Sequence, residues 1–163
     1  RIWDAATGQE LGVLSGEGRE IYGVVLSPDG KLLAMSNQDG AITLWDVESG
    51  KKLSTLSGHA GLVNRLAFSR DGTRLASASF DRLAKVWDVT TGKELVSLYG
   101  NTGNVFGVSF SPDGQTLVTA GGDGTVRMYT LQLEDLVALA KSRITRVLTP
   151  DECQKYLHMD SCP

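Results

Sequence analysis

Short apolar segments alternate with turn-forming sequences along most of the chain. In the first complete unit these segments cover residues 22–27, 31–36, 41–46 and 51–56. Ile42 and Leu44 share one face of their segment, while the residues that alternate with them share the other. This alternation with a period of two residues is typical of a β-strand. The pattern therefore predicts four short strands in each unit.

The unit repeats at a fixed interval. Trp-Asp pairs at positions 3, 45 and 87 are 42 residues apart (45 − 3 = 42 and 87 − 45 = 42), and Tyr129-Thr130 takes the next place. A tight-turn sequence keeps the same step and ends in Asp29-Gly30, Asp71-Gly72 and Asp113-Gly114. Glycine there supplies the positive φ that a tight turn between strands requires. The sequence therefore predicts one such hairpin in each of three repeats.

A period near 40 residues, four strands per unit and a terminal Trp-Asp are marks of a propeller blade. On these motifs the chain resembles the WD-repeat β-propeller family over residues 1 to about 130. The resemblance implies an all-β fold. We therefore expect a partial β-propeller of about three four-stranded antiparallel blades of 42 residues, followed by a short two-helix C-terminal tail.

The resemblance also implies a polar network of His, Ser or Thr, Asp and Trp within each blade. The middle repeat has the full set, His59, Ser79 (or Ser77 on the same strand face), Asp81 and Trp87. The first repeat has Glu17 in place of His, with Asp39 and Trp45, and the third has Asn101, Asp123 and Tyr129. We expect the first and third blades to be held more loosely.

Two apparent catalytic motifs have structural interpretations. His, Asp and Ser in one module resemble a nucleophilic triad, but they also satisfy buried polar groups in a blade covered on both faces. The segment 121–124 resembles a phosphate loop, yet no Gly-Lys-Ser/Thr and no helix follow it. The sequence therefore predicts no catalytic site, no cofactor and no enzymatic activity.

After Tyr129 the period changes from 2 to 3.6, which predicts a helix over 133–141. A capping box at Thr149 begins a second helix that ends near His158. The predicted domains are thus the blades, 1–130, and a helical tail, 131–163. The tail resembles the C-terminal end of large bacterial WD-repeat signalling proteins, in which a nucleotide-binding or other effector region precedes the propeller.

Cys153, His158 and Cys162 lie together in this tail. Their spacing does not suit one helix face, and no fourth ligand is apparent, so no metal site is predicted. A local disulfide between the two cysteines stays open, with reduced thiols as the default in a cytoplasmic protein.

The chain has 163 residues and a formal net charge of −3, without a cluster of Lys and Arg. These features favour neither nucleic acid nor an anionic membrane as a partner. No apolar run long enough to span a bilayer occurs. We expect a cytoplasmic protein whose partners are other proteins.

The first four residues correspond to Lys85–Asp88, inside a third strand. We therefore expect the intact protein to extend upstream, so that missing N-terminal blades of the same chain complete the ring. Residues 1–163 alone should be poorly soluble or should self-associate through unpaired apolar edges.

Positions that differ between repeats on a constant frame are candidates for partner binding. Most of them flank the start of the first strand and the second turn of each repeat. Arg82 and Tyr99 are added because Arg and aromatic side chains make the best anchors in such a surface. The candidates are Tyr22, Leu62, Asn64, Phe80, Arg82, Tyr99, Asn104 and Phe106.

Three hypotheses about function follow. The first is a non-catalytic interaction scaffold or sensor, the C-terminal propeller part of a larger bacterial signalling protein. The second is a catalytic propeller, or part of a multidomain enzyme whose active site lies upstream. The third is a purely structural connector.

Overall fold

The computed structural model describes residues 1–14 and 20–131, and within these ranges it contains β-strands and no helix. The strands are β1 (Ile2–Trp3), β2 (Glu10–Gly12), β3 (Ile21–Leu26), β4 (Leu32–Asn37), β5 (Ile42–Asp46), β6 (Lys52–Leu56), β7 (Val63–Phe68), β8 (Arg74–Ser79), β9 (Ala84–Asp88), β10 (Glu94–Leu98), β11 (Val105–Phe110), β12 (Thr116–Gly121) and β13 (Val126–Thr130). The all-β prediction is confirmed over these residues.

The strands form four antiparallel sheets in chain order. β1 and β2 form a hairpin, β3 to β6 the first sheet, β7 to β10 the second sheet, and β11 to β13 the third sheet. Each strand of a sheet pairs with its neighbour in sequence, so each sheet is a meander. The first and second sheets confirm the predicted four-stranded unit, and the third has three strands among the residues described.

Both predicted helices, 133–141 and 149–158, lie outside the described residues, so the two-helix tail stays a prediction. The chain divides into two compact units, Arg1–Tyr129 and Thr130–Pro163. Nearly all of the second unit also lies outside the described ranges, as do Glu17 and the three possible metal ligands of the tail.

Tight turns of one kind join the first two strands of the first, second and third sheets. Ser27 Oγ donates to Asp29 Oδ1 (2.6 Å) and accepts from the backbone N–H of Leu32 (2.9 Å). Gly30 closes the turn with its N–H on the carbonyl of Ser27 (2.9 Å) and has a φ of 73°. The same bonds recur at Ser69 and Ser111. The three predicted hairpins are therefore confirmed.

Sheets pack face to face and bury apolar side chains between them. The core between the first and second sheets contains Ala34, Ile42, Leu44, Leu56, Val63, Leu66, Leu75 and Trp87. Trp45, which lies on the opposite face from Leu44, is also buried. Because both faces of the first sheet carry apolar residues, it needs a neighbour on each side.

The meander fixes which ends of the strands lie together. The turns at 27–30, 69–72 and 111–114 lie at one end of the sheets. At the other end, the segments before β7 and β11 meet the turns after β8 and β12, since Phe80 N–H donates to Leu62 O and Gly122 N–H to Asn104 O. We call this second end the inner-strand entrance. The first strand of each sheet, β3, β7 or β11, begins there, and we call these first strands the inner strands.

Candidate functional site

A chain of hydrogen bonds runs through the second sheet. Trp87 Nε1 donates to Ser77 Oγ (2.8 Å), and Ser77 Oγ lies 2.7 Å from His59 Nε2. His59 Nδ1 lies 2.7 Å from Asp81 Oδ2. Since a carboxylate only accepts, Nδ1 carries the proton and Nε2 accepts from the Ser77 hydroxyl. Each side chain thus donates to the next, from Trp87 through Ser77 and His59 to the carboxylate of Asp81.

Ser77, and not Ser79, is the serine of this network. Ser79 Oγ donates to the carbonyl of Gly61 (3.0 Å) and accepts from the N–H of Asp81 (3.1 Å). Both serines are fully buried on the same strand face, so alternation alone could not distinguish them. Of the two serines that the sequence left open, Ser77 belongs to the network, and Ser79, the first choice, instead fixes the loop around Asp81.

Asp81 ties two loops of the inner-strand entrance together. Besides His59 it accepts from the backbone N–H groups of Ala60 (3.0 Å) and Leu83 (2.9 Å). Burial raises the pKa of this carboxyl, but the hydrogen bonds from His59, Leu83 and Ala60 outweigh it and hold the pKa below its usual value. Burial lowers the pKa of His59, although Asp81 opposes that effect. At neutral pH a neutral His59 therefore donates to an ionised Asp81.

The network is closed to substrates. Ser77 is fully buried, the His59 side chain has no exposed surface, and the Ser77 hydroxyl is engaged by both Trp87 and His59. A nucleophile must reach its substrate, so this arrangement stabilises the sheet and does not perform triad chemistry.

The third sheet satisfies its polar groups differently. Asn101 takes the place of His59, and its Nδ2 donates to the hydroxyl of Tyr129 (3.3 Å). That hydroxyl donates to the carbonyl of Tyr99 (3.0 Å). Thr119, the counterpart of Ser77 (119 − 77 = 42), is fully buried, and its hydroxyl has no hydrogen-bond partner among the residues described. The hydroxyl of Thr119 thus has no part in a network of the third sheet like the one that Ser77 has in the second sheet.

Asp123 keeps the loop-tying role of Asp81. It accepts from the N–H of Thr102 (2.9 Å) and forms an ion pair with Arg127 (2.9 Å). Arg127 Nη1 also donates to Asn101 Oδ1 (3.0 Å). The hydrogen bond from the Thr125 hydroxyl, followed by that from Thr102 N–H, lowers the pKa of Asp123. The predicted members Asn101, Asp123 and Tyr129 therefore lie together, with Arg127 as a member that the sequence did not indicate.

The first sheet has a shorter arrangement. Met35 replaces Ser77, so the indole of Trp45 donates instead to Thr43 Oγ1 (3.0 Å). Asp39 lies in the turn after β4, where its N–H donates to Asn37 Oδ1 (3.0 Å). The bond from Trp45 stays within its own strand, whereas that of Trp87 crosses to β8.

The structure brings three of the partner-binding candidates together. The rings of Phe80 and Phe106 meet edge to face with centroids 5.5 Å apart, and they join the second sheet to the third. Asn64 Nδ2 donates to the carbonyl of Phe106 (3.0 Å) across the same boundary. The rings remain partly exposed, Phe80 by 37% and Phe106 by 47%. We call these three residues the aromatic cluster.

β-Bulges place the variable residue of each inner strand. Pairing shifts between Val63 and Arg65, so Asn64 falls in a bulge, and the same shift surrounds Tyr22 and Phe106. A bulge removes a residue from the ladder and redirects its side chain. Equivalent positions in three repeats thus present Tyr, Asn and Phe at the inner-strand entrance.

Backbone contacts frame the aromatic cluster. Leu62 and Asn104 accept the hydrogen bonds from Phe80 and Gly122 described above, and both are partly exposed. A Cβ at Gly122 would lie 2.9 Å from the Phe106 ring, which is closer than a side chain tolerates. Gly122 therefore allows Phe106 to lie over the turn.

The other candidates lie outside the aromatic cluster. The Tyr22 hydroxyl donates to Glu20 (2.7 Å), and Tyr99 has 71% of its surface exposed. Arg82 is exposed and has a φ of 73°. None of these three side chains has a ring contact with Phe80 or Phe106 in the described part of the chain.

Within residues 1–14 and 20–131, no group of three or more His, Cys, Asp or Glu side chains could hold a metal ion. The same residues form no helix long and apolar enough to cross a membrane.

Two family models together match most of the described residues. The model "WD domain, G-beta repeat" matches residues 50–88 and 92–130, and the model "Anaphase-promoting complex subunit 4 WD40 domain" matches 1–64. These repeats are WD repeats. The matched ranges include the Trp-Asp pairs and tight turns that the sequence indicated, so the sheets are blades of a WD-repeat propeller.

Solved structures support the same fold. The structure of U3-55K is 28% identical with a TM-score of 0.70, and the crystal structure of RRP9 WD40 repeats is 29% identical with a TM-score of 0.70. Each likeness covers 74% of this chain and 38% of the other. The WD repeats thus span well under half the length of these structures. No curated protein matches the chain. Because 1359 solved chains match significantly, the likeness does not select a partner.

We predict that His59 makes folding pH-dependent. The pKa of folded His59 lies below the 6.5 of the free side chain, so the unfolded chain binds more protons as pH falls. The contribution of neutral His59 to the free energy of unfolding is complete above the pKa that this side chain has in the unfolded chain. That contribution is lost as the pH falls from the pKa of the unfolded state towards the lower pKa of the folded state. Between about pH 7.5 and about pH 5.5, we expect the wild type to lose up to about 1.4 kcal/mol per pH unit more than His59→Asn. Urea titrations at each pH measure this, and parallel pH profiles would contradict it.

We also predict that the second sheet's network can be transferred to the third. In Asn101→His with Tyr129→Trp, the Thr119 hydroxyl gains the partners that Ser77 has, and the free energy of unfolding should rise by about 1 kcal/mol. The reciprocal control, His59→Asn with Trp87→Tyr, should lower it. Chemical denaturation provides the measurement, and a less stable third-sheet variant would refute the equivalence of the two sites.

Proposed function

We propose that this chain is a non-catalytic protein-interaction module whose contact surface is centred on the aromatic cluster. WD-repeat propellers are generally platforms for protein partners, and this chain has their fold. The observation that carries the specific proposal is the edge-to-face pair of Phe80 and Phe106, held partly exposed at the inner-strand entrance. Aromatic side chains of this kind provide most of the energy in many interfaces.

The frame around the pair is rigid. Phe80 is held by its N–H on Leu62 (2.8 Å), while the carbonyl of Phe106 accepts from Asn64 (3.0 Å). Anchors that are already ordered lose little conformational entropy on binding. The half-buried amide of Asn64 adds a polar group beside the rings, which suits a partner segment that offers both an apolar side chain and backbone groups.

Arg82 supports the same surface through its backbone. The corresponding turn positions of the other repeats are Gly40 and Gly124, which have φ values of 84° and 77°. Arg82 adopts this left-handed conformation at a cost of about 1 kcal/mol or more. Its side chain is exposed, and no hydrogen bond or ion pair of that side chain is formed with the described residues. We propose that the side chain is retained for partner contact.

The wider context is part of the proposal. We infer that the module is a cytoplasmic sensor or docking part near the C-terminus of a larger bacterial signalling protein. The resemblance of the tail, residues 138–163, supports this context. A net charge of −3 without a basic cluster favours protein partners over nucleic acid or membrane.

The aromatic cluster can be tested by affinity capture with the full-length protein. Phe80→Ala with Phe106→Ala should reduce recovery of partners at least about thirtyfold, since each anchor of this type contributes about 2 kcal/mol or more. Leu53→Ala changes a residue that is 57% exposed on an outer strand and should leave recovery unchanged. Partners retained equally by all three proteins would remove this surface from consideration.

Arg82 allows a separate test in which stability and binding should change in opposite directions. Arg82→Gly relieves the left-handed conformation and should raise the free energy of unfolding by about 1 kcal/mol, while weakening capture of the same partners. Thermal and chemical unfolding give the first quantity. A variant that gains stability without losing partners would show that the side chain does not contribute to binding.

A further inference from the structure

Two arginines of the second repeat stand at positions where both of the other repeats have glycine. The residues at these two positions, each 42 from its counterpart (65 − 23 = 42 and 82 − 40 = 42), are Gly23, Arg65 and Gly107 at the first, and Gly40, Arg82 and Gly124 at the second. The first and third sheets form the same strand pairs and turns with glycine. The fold therefore does not require an arginine at either position.

Both arginines belong to segments that carry the aromatic cluster. Arg65 follows Asn64 in the bulge of β7, and Arg82 lies two residues after Phe80 in the turn that follows β8. Residues two apart in the chain have their Cα atoms within about 7 Å of each other. The hydrogen bond from Phe80 N–H to Leu62 O (2.8 Å) joins this turn to the segment before β7. The two arginines are thus anchored at the inner-strand entrance, next to the cluster.

Packing within the second sheet does not account for Arg65. Arg65 pairs with Ala78 on β8, and in the third sheet Gly107 pairs in the same way with Ala120. A Cβ at Gly107 would lie 3.4 Å from that of Ala120, an ordinary contact. The third sheet could therefore hold a side chain at this position and still has glycine. Arg65 is exposed, and its side chain forms no hydrogen bond or ion pair with the described residues.

The carboxylates of the two neighbouring turns are already engaged. Asp81 Oδ2 lies 2.7 Å from His59 Nδ1, and the Asp81 side chain is only 8% exposed. Asp123 forms its ion pair with Arg127 (2.9 Å). Neither carboxylate pairs with the two arginines that replace glycine. The surface around the exposed rings therefore carries two positive charges without a counter-ion among the described residues, although the whole chain has a net charge of −3.

We propose that the partner segment bound at this surface is an acidic peptide, an inference that rests on the contact surface proposed above. An apolar side chain of the peptide packs on Phe80 and Phe106, while Asp or Glu carboxylates beside it pair with Arg65 and Arg82. A guanidinium group matches a carboxylate with two parallel hydrogen bonds. Asn64 Nδ2 is already used on the carbonyl of Phe106. Its Oδ1 can accept a backbone N–H of the peptide.

Single-stranded nucleic acid fits this surface less well. Aromatic rings and arginines can also hold bases and phosphates. The affinity of such complexes comes mainly from many phosphate contacts, and this chain has no cluster of Lys and Arg. Two arginines beside an apolar pair suit a short segment with few charges. A nucleic acid is therefore an outcome that the experiment must be able to reveal.

Selection from a random-peptide library displayed on phage, with the full-length protein as bait, tests the proposal. The selected peptides should contain an excess of Asp and Glu beside an apolar residue. One selected peptide is then labelled, and its binding is measured by fluorescence anisotropy. Exchange of its acidic residues for Asn and Gln should weaken binding at least about tenfold, because each charge-assisted hydrogen bond is lost.

Variants of the protein make the test specific. Arg65→Gly with Arg82→Gly installs the residues of the other repeats, so folding should be preserved, and binding of the labelled peptide should weaken at least about tenfold. Arg70→Glu is the matched control. Arg70 is an exposed arginine in the tight turn at the opposite end of the sheet, where physiological salt screens its charge from the peptide. This control should bind the peptide as the wild type does.

Four results would overturn the inference. They are selected peptides without an acidic excess, unchanged binding in the double glycine variant, an equal loss in Arg70→Glu, and tighter binding of single-stranded oligo(dU) than of the selected peptide. A neutral peptide that requires Phe80 and Phe106 but neither arginine would overturn this inference alone and support the proposed function. A selected peptide that binds Phe80→Ala with Phe106→Ala as tightly as the wild type would instead contradict the proposed function itself.

Discussion

Burial of apolar side chains between neighbouring sheets is the interaction on which this molecule depends. Successive side chains of a strand point to opposite faces of its sheet, and here both faces carry apolar residues. A single sheet therefore cannot bury these residues without a neighbouring sheet. Ile42 is fully buried because the second sheet covers it, whereas its counterpart Val126 in the third sheet is 71% exposed. The same position changes from core to surface where no further sheet among the described residues covers it. Stability therefore belongs to pairs of sheets and not to single repeats.

The polar networks solve a consequence of that burial. The aromatic residue near the end of each third strand carries a donor that must be satisfied when it is covered. Trp87 donates to Ser77 on the adjacent strand, Trp45 to Thr43 on its own strand, and Tyr129 to the carbonyl of Tyr99. Three different solutions are compatible with one backbone because apolar packing, and not the network, sets the positions of the sheets.

The sequence predicted the features that repeat and missed those that depend on geometry across sheets. A step of 42 residues and the Asp-Gly turns were sufficient to locate strands and hairpins within one or two residues. Alternation placed Ser77 and Ser79 on one face, but the distance to His59 decided between them, and that distance depends on the loop that Asp81 fixes. Variation between repeats drew attention to Phe80 and Phe106 separately. Their contact joins two sheets, which no pattern within a single repeat can reveal.

The bulges explain how a repeated frame can carry a variable surface. Val63 and Leu66 must remain apolar because they fill the core, but Asn64 is displaced from the ladder between Val63 and Arg65. The extra residue of a bulge is left unpaired in the ladder, so strand pairing does not depend on the identity of its side chain. The position can therefore hold a different residue in each repeat without loss of the packing between sheets. The bulged residues that we propose for partner contact thus lie where the fold constrains side-chain identity least and backbone position most.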